Sequence, residues 1–329
     1  MAPARCPLSD SRPSMSSALL ASSLTSYSEK KDRSCLSQKF HDRPVRMAEI
    51  AVVFDFDKTI LDCDSDDWVV DKFGLSEAFD RLRPTLPWNS LMDRMMMELH
   101  SRGKTVEEIA DCLKEAPLHP KIVSAIKSAH ASGCDLRILS DSNVFFIETI
   151  LRHHGIMDCF AEINTNPGSV DAKGRLNVSP YQDFYHLSHG CKICPANMCK
   201  GAVMDKIRSS ASAEGKKRFV YVGDGNADLC AGMKLEEEDV LLPRKGFPVW
   251  DLICRNPTLV KARIREWTDA AELETVLLNS VDALGRLENG NAKAIRPIPV
   301  ACKFQTSLLD AAPKSPTVRR EPEPCSSVV

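Results

Sequence analysis

Between about residue 47 and residue 285, short apolar runs alternate with longer amphipathic stretches. The runs "IAVVF" (50–54), "DLRIL" (135–139), "RFVYV" (218–222) and "DVLL" (239–242) are mostly aliphatic or β-branched. That length and composition suit strands buried on both faces. Between them, "HPKIVSAIKSAHASG" and "FFIETILRHHG" have helical periodicity and end at Gly133 and Gly155, where a helix stop is expected. Strands alternating with helices predict an α/β fold, a doubly wound, Rossmann-like parallel sheet.

The stretch 66–118 breaks the alternation and reads as helical throughout. "TVEEIADCLKEAP" opens on Thr105 with Glu108 three residues later, a capping box. The Met run "LMDRMMMELH" (91–100) has helical spacing and reads as core packing rather than a cofactor site. A helical insert after the first strand would sit over the strand ends as a cap. The expected organisation is a core made of 47–65 and 119–285, with a small cap at 66–118.

Composition changes the picture at the two ends. Residues 1–46 are Ser-rich, poor in acids and without an apolar period, which predicts a disordered extension or a transit peptide. Met47 also stands where a functional start would be. Residues 286–329 turn to Pro, Arg, Ser and Lys and read as a disordered, solvated tail. Globular composition and a net charge of −2 supply no basic field for nucleic acid. No apolar stretch reaches the roughly 18–20 residues needed to span a bilayer. The expectation is a soluble, cytoplasmic protein, or a plastid or mitochondrial one if 1–46 is a transit peptide. Thirteen cysteines in a chain of 329 residues read as reduced intracellular thiols rather than a disulfide scaffold.

The chemistry gathers where the apolar runs stop. Three of the four lead straight into polar, reactive residues: Asp55 and Asp57, Ser140 and Asp141, Gly223 and Asp224. Ligands of open α/β sheets bind beyond the carboxyl ends of the strands. Paired carboxylates ending a buried strand call for a positive partner. The ordered set is Asp55-Phe-Asp57-Lys-Thr59, Ser140 in "LSDSN", Lys200 in "NMCKG", and Asp224 and Asp228 in "GDGNAD". Its bland alternative is a set of ordinary turn aspartates.

With these four motifs the chain resembles the haloacid dehalogenase superfamily of phosphatases. The resemblance implies roles that chemistry supports. A carboxylate attacks an anionic phosphoryl group only when a cation cancels the repulsion. Mg2+ suits an oxygen-only set of Asp55, Asp224 and the backbone carbonyl of Asp57. Asp55 would be the nucleophile, forming an aspartyl-phosphate, and Asp57 the proton donor and acceptor. Ser140 and Lys200 would hold the phosphate, the lysine also restraining Asp55. Asp228 would orient the metal's surroundings from behind.

"DKTILDCDSDDWVVDKFG", "TLPWNSLMDRMMMELHSRGKT", "INTNPGSVDAKGRL" and "PRKGFPVWDLI" are similar to the plant branch of the phosphoethanolamine/phosphocholine phosphatases. That branch includes thiamine phosphate phosphatase-like and inorganic pyrophosphatase-like members. The similarity extends over about 49–280. It implies that Asp66 and Asp141 grip the substrate, a small phosphorylated metabolite such as thiamine monophosphate, phosphoethanolamine or phosphocholine; pyrophosphate is the alternative. A crowd of acids at Asp62, Asp64, Asp66 and Asp67 suits a phosphate with a cationic tail. Trp68, Trp88, Phe145 and Phe146 would offer cation–π faces, or simply pack in the core. The acidic run also reads as an ordinary helix start favoured by the macrodipole. A non-catalytic binding protein is disfavoured, because nucleophile, acid/base and metal ligands are all present. The chain departs from the pattern with Ser142 in motif II, and with Ala227 and Ala231 around motif IV.

Cys191, Cys194 and Cys199, with His186 and His189 just before them, are zinc-binding residue types. Their spacing is not a well-attested zinc pattern. Structural zinc, a reduced thiol cluster and redox-sensitive disulfides all remain open readings.

Overall fold

The computed structural model describes residues 49–288; the expectations for residues 1–46 and for the tail beyond Glu288 lie outside the described residues. The strands are β1 (Ile50–Phe54), β2 (Asp135–Asn143), β3 (Phe160–Asn166), β4 (Gly168–Val170), β5 (Leu176–Val178), β6 (Arg218–Gly223), β7 (Val240–Pro243) and β8 (Arg263–Ile264). The helices are α1 (Ser65–Lys72), α2 (Ser76–Leu82), α3 (Trp88–Ser101), α4 (Val106–Lys114), α5 (Pro120–Ala131), α6 (Val144–His153), α7 (Lys200–Ala213), α8 (Asn226–Gly232), α9 (Pro248–Arg255) and α10 (Ala270–Glu288).

Six strands form one sheet in the order β3-β2-β1-β6-β7-β8, and every pairing in it is parallel. The antiparallel β4–β5 hairpin stands apart. The strand order reverses between β1 and β6, the crevice where doubly wound sheets bind ligands. Alternation along β1 shows why both faces are covered. Ile50, Val52 and Phe54 join a core containing residues of α5, α6 and α10. Ala51 and Val53 join the opposite core, containing residues of α7, α8 and α9. No helix among the described residues is long and apolar enough to cross a membrane.

The four apolar runs become β1, β2, β6 and β7, and the Met run lies in α3 with Met92, Met95 and Met96 buried in the core. Thr105 and Glu108 make the capping box of α4. Two features differ from the expectation. The segment 160–178 contributes an edge strand and a hairpin that periodicity did not announce, because β3 is half exposed and the hairpin strands are three residues each. Helix α10 continues to Glu288, into the stretch expected to be tail, with Leu273, Leu277, Val281 and Leu284 buried at helical spacing.

A charge network that the pattern did not reveal fastens β2 to its neighbours. Arg137, 3% exposed in the middle of β2, donates to Asp135 at 2.8 Å, to Ser210 of α7 at 3.0 Å and to Glu214 at 2.8 Å, and also to Glu162 of β3. A guanidinium this deep is tolerated because its donors are all directed at acceptors. Removing it strands the nearly buried Asp135 carboxylate. Arg137→Met is therefore expected to cost about 3 kcal/mol of unfolding free energy; denaturant unfolding within 1 kcal/mol or so of wild type would show the network to be dispensable.

Candidate active site

Asp55 is the first residue past β1, and its N–H donates to the Val222 carbonyl at 2.8 Å, extending the β1–β6 pairing by one step. Asp224 is the first residue past β6. The two carboxylates therefore emerge side by side at the reversal of strand order. Lys200, at the start of α7, reaches between them and the rest of motif IV. Its Nζ lies 2.8 Å from an oxygen of Asp55 and 2.8 Å from one of Asp228. Burial pulls the Lys200 ammonium down, but the carboxylates of Asp228 and Asp55 outweigh it and hold it well above its ordinary value.

Asp228, 0% exposed, is the centre of this arrangement. One oxygen accepts from Lys200 Nζ and from the Tyr221 hydroxyl at 2.7 Å; the other accepts from the N–H of Asp224 at 2.9 Å and of Gly225 at 2.7 Å. Four donors fill a carboxylate's capacity, so Asp228 shapes the site without a lone pair to spare. Burial and the Asp228 charge keep the Tyr221 phenol protonated and donating. The close approach of Asp228 to the backbone requires a glycine: a Cβ on Gly223 would stand 2.4 Å from the Asp228 Cγ.

Carboxylates of Asp55, Asp224 and Asp228 converge within 4.8 Å of one another. Burial, then the Asp228 charge, raises Asp55 well above the ordinary carboxylate range and raises Asp224 to about 7. With one buried lysine, Lys200, among three carboxylates and Lys58 only near Asp224, the cluster carries an excess of buried negative charge, which a bound divalent cation offsets. The donor set fits one: oxygens of Asp55 and Asp224, with Asp228 already committed to its four donors.

The remaining motif residues line or back a cavity of about 390 Å³. Asp57 accepts from the Ser65 N–H at 2.9 Å and the Ser65 hydroxyl at 3.1 Å. Burial, then the neighbouring Asp64 and Asp66, pushes its carboxyl well above the ordinary range. Ser140 is fully buried, with its Oγ accepting from the Ser142 N–H at 3.3 Å; Asp141 and Ser142 line the cavity.

The acidic run divides its labour. Asp64 caps α1, accepting from the N–H groups of Asp66 and Asp67, and pairs with Lys58 at 3.0 Å. Asp62 pairs with Arg244 at 2.7 Å. Asp66 faces the cavity, 3% exposed. One of its oxygens accepts from Trp88 Nε1 at 2.7 Å, and the other, Oδ1, is buried without a partner. Burial, then Asp64, raises the Asp66 carboxyl well above its usual range.

Of the four aromatics considered from the sequence, Trp88 alone lines this cavity. It serves as a hydrogen-bond donor to Asp66, and the Arg83 guanidinium lies 5.3 Å from its ring. Trp68 turns away to the Cys112 carbonyl, Phe146 is buried in the core and Phe145 packs against it.

Arg244 escaped the sequence reading. It donates to the Lys58 carbonyl at 2.6 Å as well as to Asp62, while its guanidinium lies 4.3 Å from the Phe247 ring. It thus holds the loop after Asp57, where Lys58 takes a φ of 56°. Its signals were a position one residue past β7 and a place in the stretch "PRKGFPVWDLI", neither of which assigned it a partner. Ser65 and Tyr221 were also missed, one at a helix start and the other inside an apolar run.

The cysteines gather as well. Cys191, Cys194 and Cys199 are joined by Cys230 from α8, all four sulfurs lying within 4.8 Å of one another. Neither histidine joins them: His186 pairs with Asp183, and both ring nitrogens of His189 bond to backbone.

Known proteins resemble this chain over the same span. An Arabidopsis thaliana protein named inorganic pyrophosphatase 2 is 56% identical over 261 residues, covering 79% of this chain and 94% of its own length. The Arabidopsis thiamine phosphate phosphatase-like protein is 50% identical over 244 residues, covering 74% and 100%. The human phosphoethanolamine/phosphocholine phosphatase is 30% identical over 250 residues, covering 73% and 92%. Residues 50–281, from the start of β1 into α10, match the family described as Putative Phosphatase. The span of that match takes in every strand end that carries a carboxylate here, and the chain belongs to this phosphatase family.

Proposed function

We propose that this chain is a Mg2+-dependent phosphatase acting on a small phosphomonoester with a cationic tail, through an aspartyl-phosphate on Asp55. The observation that carries the chemistry is Asp55 itself, a buried carboxylate held by Lys200 and set beside Asp224 at the sheet's switch point. Asp55 and Asp224 oxygens and the Asp57 carbonyl would hold the ion, which supplies charge neutralisation of the phosphoryl group. Lys200 fixes the orientation of the Asp55 carboxylate and adds positive charge where the phosphoryl oxygens crowd. Asp57, its carboxyl raised by burial, is suited to hold a proton for the leaving alkoxide and to take one back from the hydrolytic water. Ser140, behind the cavity-lining Asp141 and Ser142, supports the end of β2 by accepting from the Ser142 N–H.

Substrate class follows from Asp66. A buried carboxylate oxygen with no partner, facing a cavity, is a place for a cation or a donor. Asp141 lines the same cavity. The neighbouring acids Asp62 and Asp64 already have their cations, so the free recognition capacity concentrates on Asp66 and Asp141. The helices α1–α4 act in this reading as a cap that brings Asp66 and Trp88 over the strand ends. Asp93 of α3 latches that cap to the β4–β5 hairpin by accepting from Arg175 at 2.6 Å and from the Val178 N–H at 3.1 Å. Relatives are named for pyrophosphate, thiamine phosphate and phosphocholine; phosphate release from those three and from phosphoethanolamine, with Mg2+, ranks them for this chain.

Asp55→Asn is expected to abolish turnover while leaving the fold intact. Its stability without metal should rise. Because the native Asp55 carboxyl binds its proton more tightly than the unfolded one, the native state loses stability as pH climbs through the raised range, and the amide escapes that loss. Retention of more than a few per cent of phosphate release would exclude Asp55 as nucleophile.

Asp57→Asn keeps the backbone carbonyl and loses the proton. Leaving groups of high pKa should suffer most and an activated aryl phosphate least. Equal losses on both would remove Asp57 from the acid/base role.

Asp66→Asn and Asp141→Asn are expected to reduce kcat/KM for phosphocholine or thiamine monophosphate roughly tenfold to a hundredfold, the equivalent of a charge-assisted contact. Pyrophosphate, without a cationic end, should lose nothing by this mechanism. Since Asp66 is charged only above its raised pKa, the gap between wild type and Asp66→Asn should narrow as pH falls. Equal losses on pyrophosphate and phosphocholine would sink cation recognition.

A further inference from the structure

The loop from 179 to 199, between β5 and α7, has no regular secondary structure, and loops of more than about 15 residues are uncommon in compact domains unless something else organises them. Met198 near its end is buried in the core and Tyr181 packs against that core, but the middle stands out: Leu187 is 75% exposed and Tyr185 68%. Yet it supplies Ile193 and Pro195 to the wall of the active-site cavity. Asn166 anchors it through Tyr181 and Asn197, and a set of cysteines stands at its end.

We propose that Cys191, Cys194, Cys199 and Cys230 bind one structural Zn2+ as a closed tetrathiolate site. Four sulfurs at the tetrahedral corners around zinc, each about 2.3 Å from the metal, stand about 3.8 Å apart. Here Cys230 Sγ lies 3.8 Å from Cys191 Sγ and 3.9 Å from Cys199 Sγ, and all four are free thiols within 4.8 Å of one another. Each sulfur also receives a backbone N–H: Ile193 donates to Cys191, Lys200 to Cys194, Ala202 to Cys199 and Gly201 to Cys230. Three of these donors are first-turn amides of α7, groups that have no partner within the helix. They stabilise thiolate charge, and all four ligands are satisfied in the way that surrounding groups support a metal.

Room for the fourth ligand is provided by a glycine. A Cβ on Gly201 would stand 2.6 Å from Cys230 Sγ. The four-sulfur, oxygen-free set selects zinc over magnesium, so the two sites do not compete for one ion. On binding, the four thiols give up their protons to solvent and no redox change occurs. The consequence is mechanical. Cys199 precedes Lys200 and Cys230 follows Asp228 by two residues, so the ion would lash the cavity-wall loop to the two elements that carry the buried ion pair.

The test is metal counting, which needs no substrate and stands whether or not the phosphatase reading does. The full chain, produced with zinc in the medium, should carry close to one zinc per molecule by elemental analysis. Asp55→Asn should keep it, and Cys230→Ser should lose most of it. Capping thiols with a mercurial in the folded wild type should release the zinc in step with the reaction, and cobalt substitution should give thiolate-to-cobalt charge-transfer absorption. The mercurial and cobalt measurements stand if Cys230→Ser fails to fold. Absence of zinc from wild type, zinc retained in soluble Cys230→Ser, or zinc lost in Asp55→Asn would each overturn the proposal.

Discussion

The Asp228 carboxylate, buried with four donors on its two oxygens, is the constraint on which the site depends. Deprived of water, a carboxylate is stable only if its lone pairs are filled. Here the donors that fill them are Lys200, Tyr221 and the turn at Asp224 and Gly225, so satisfying one buried charge fixes helix, strand and loop together. Lys200 is thereby held in reach of Asp55. Positioning a charged lysine by a second carboxylate, rather than by the nucleophile alone, leaves its location independent of what happens to Asp55 during a reaction. The cost is visible in the raised carboxyls of Asp55 and Asp224, an accumulation of negative charge that favours a bound cation.

The acids around α1 show how a crowded surface is sorted by local partners. Capping employs Asp64, and the ion pairs with Lys58 and Arg244 employ Asp64 and Asp62. That leaves Asp66 with one oxygen engaged by Trp88 and one free. A cluster that looks uniformly acidic in sequence therefore presents one buried, incompletely bonded carboxylate to the cavity. Trp88 contributes by its N–H instead of its π face, and the neighbouring Arg83 accounts for the cation near its ring.

Two anchors flank this cavity, and they differ in chemistry. On the side of α3, Asp93 joins that helix to the hairpin through Arg175 and Val178, bonds that form and break without covalent cost. On the other side, the cysteine cluster brings the long loop against α8, where the proposed ion would tie it to α7 and α8. In the proposed reading, a wall fixed by the ion on one side and latched by hydrogen bonds on the other would admit a substrate by movement of helices α1–α4 while the phosphate end of the site stays rigid.

The sequence by itself determined the alternation of strand and helix, because strands buried on both faces must be continuously apolar, and it determined which strand ends carry carboxylates. It also determined α4, whose capping box is a local bond between residues three apart. Tertiary structure decided what depends on partners distant in the chain. Arg244 contacts Lys58 and Asp62 across more than 180 residues, Cys230 joins cysteines 31 to 39 residues earlier, and Arg137 finds acceptors on β3 and α7. None of these has a periodicity to betray it, and the motifs beside Cys230 and Arg244 do not name their partners. The β4–β5 hairpin was likewise too short for alternation to register. Asp66 shows the division most plainly: sequence placed an acid there, but only the folded chain, by satisfying its neighbours and burying its unpartnered oxygen, set it apart from the aspartates beside it.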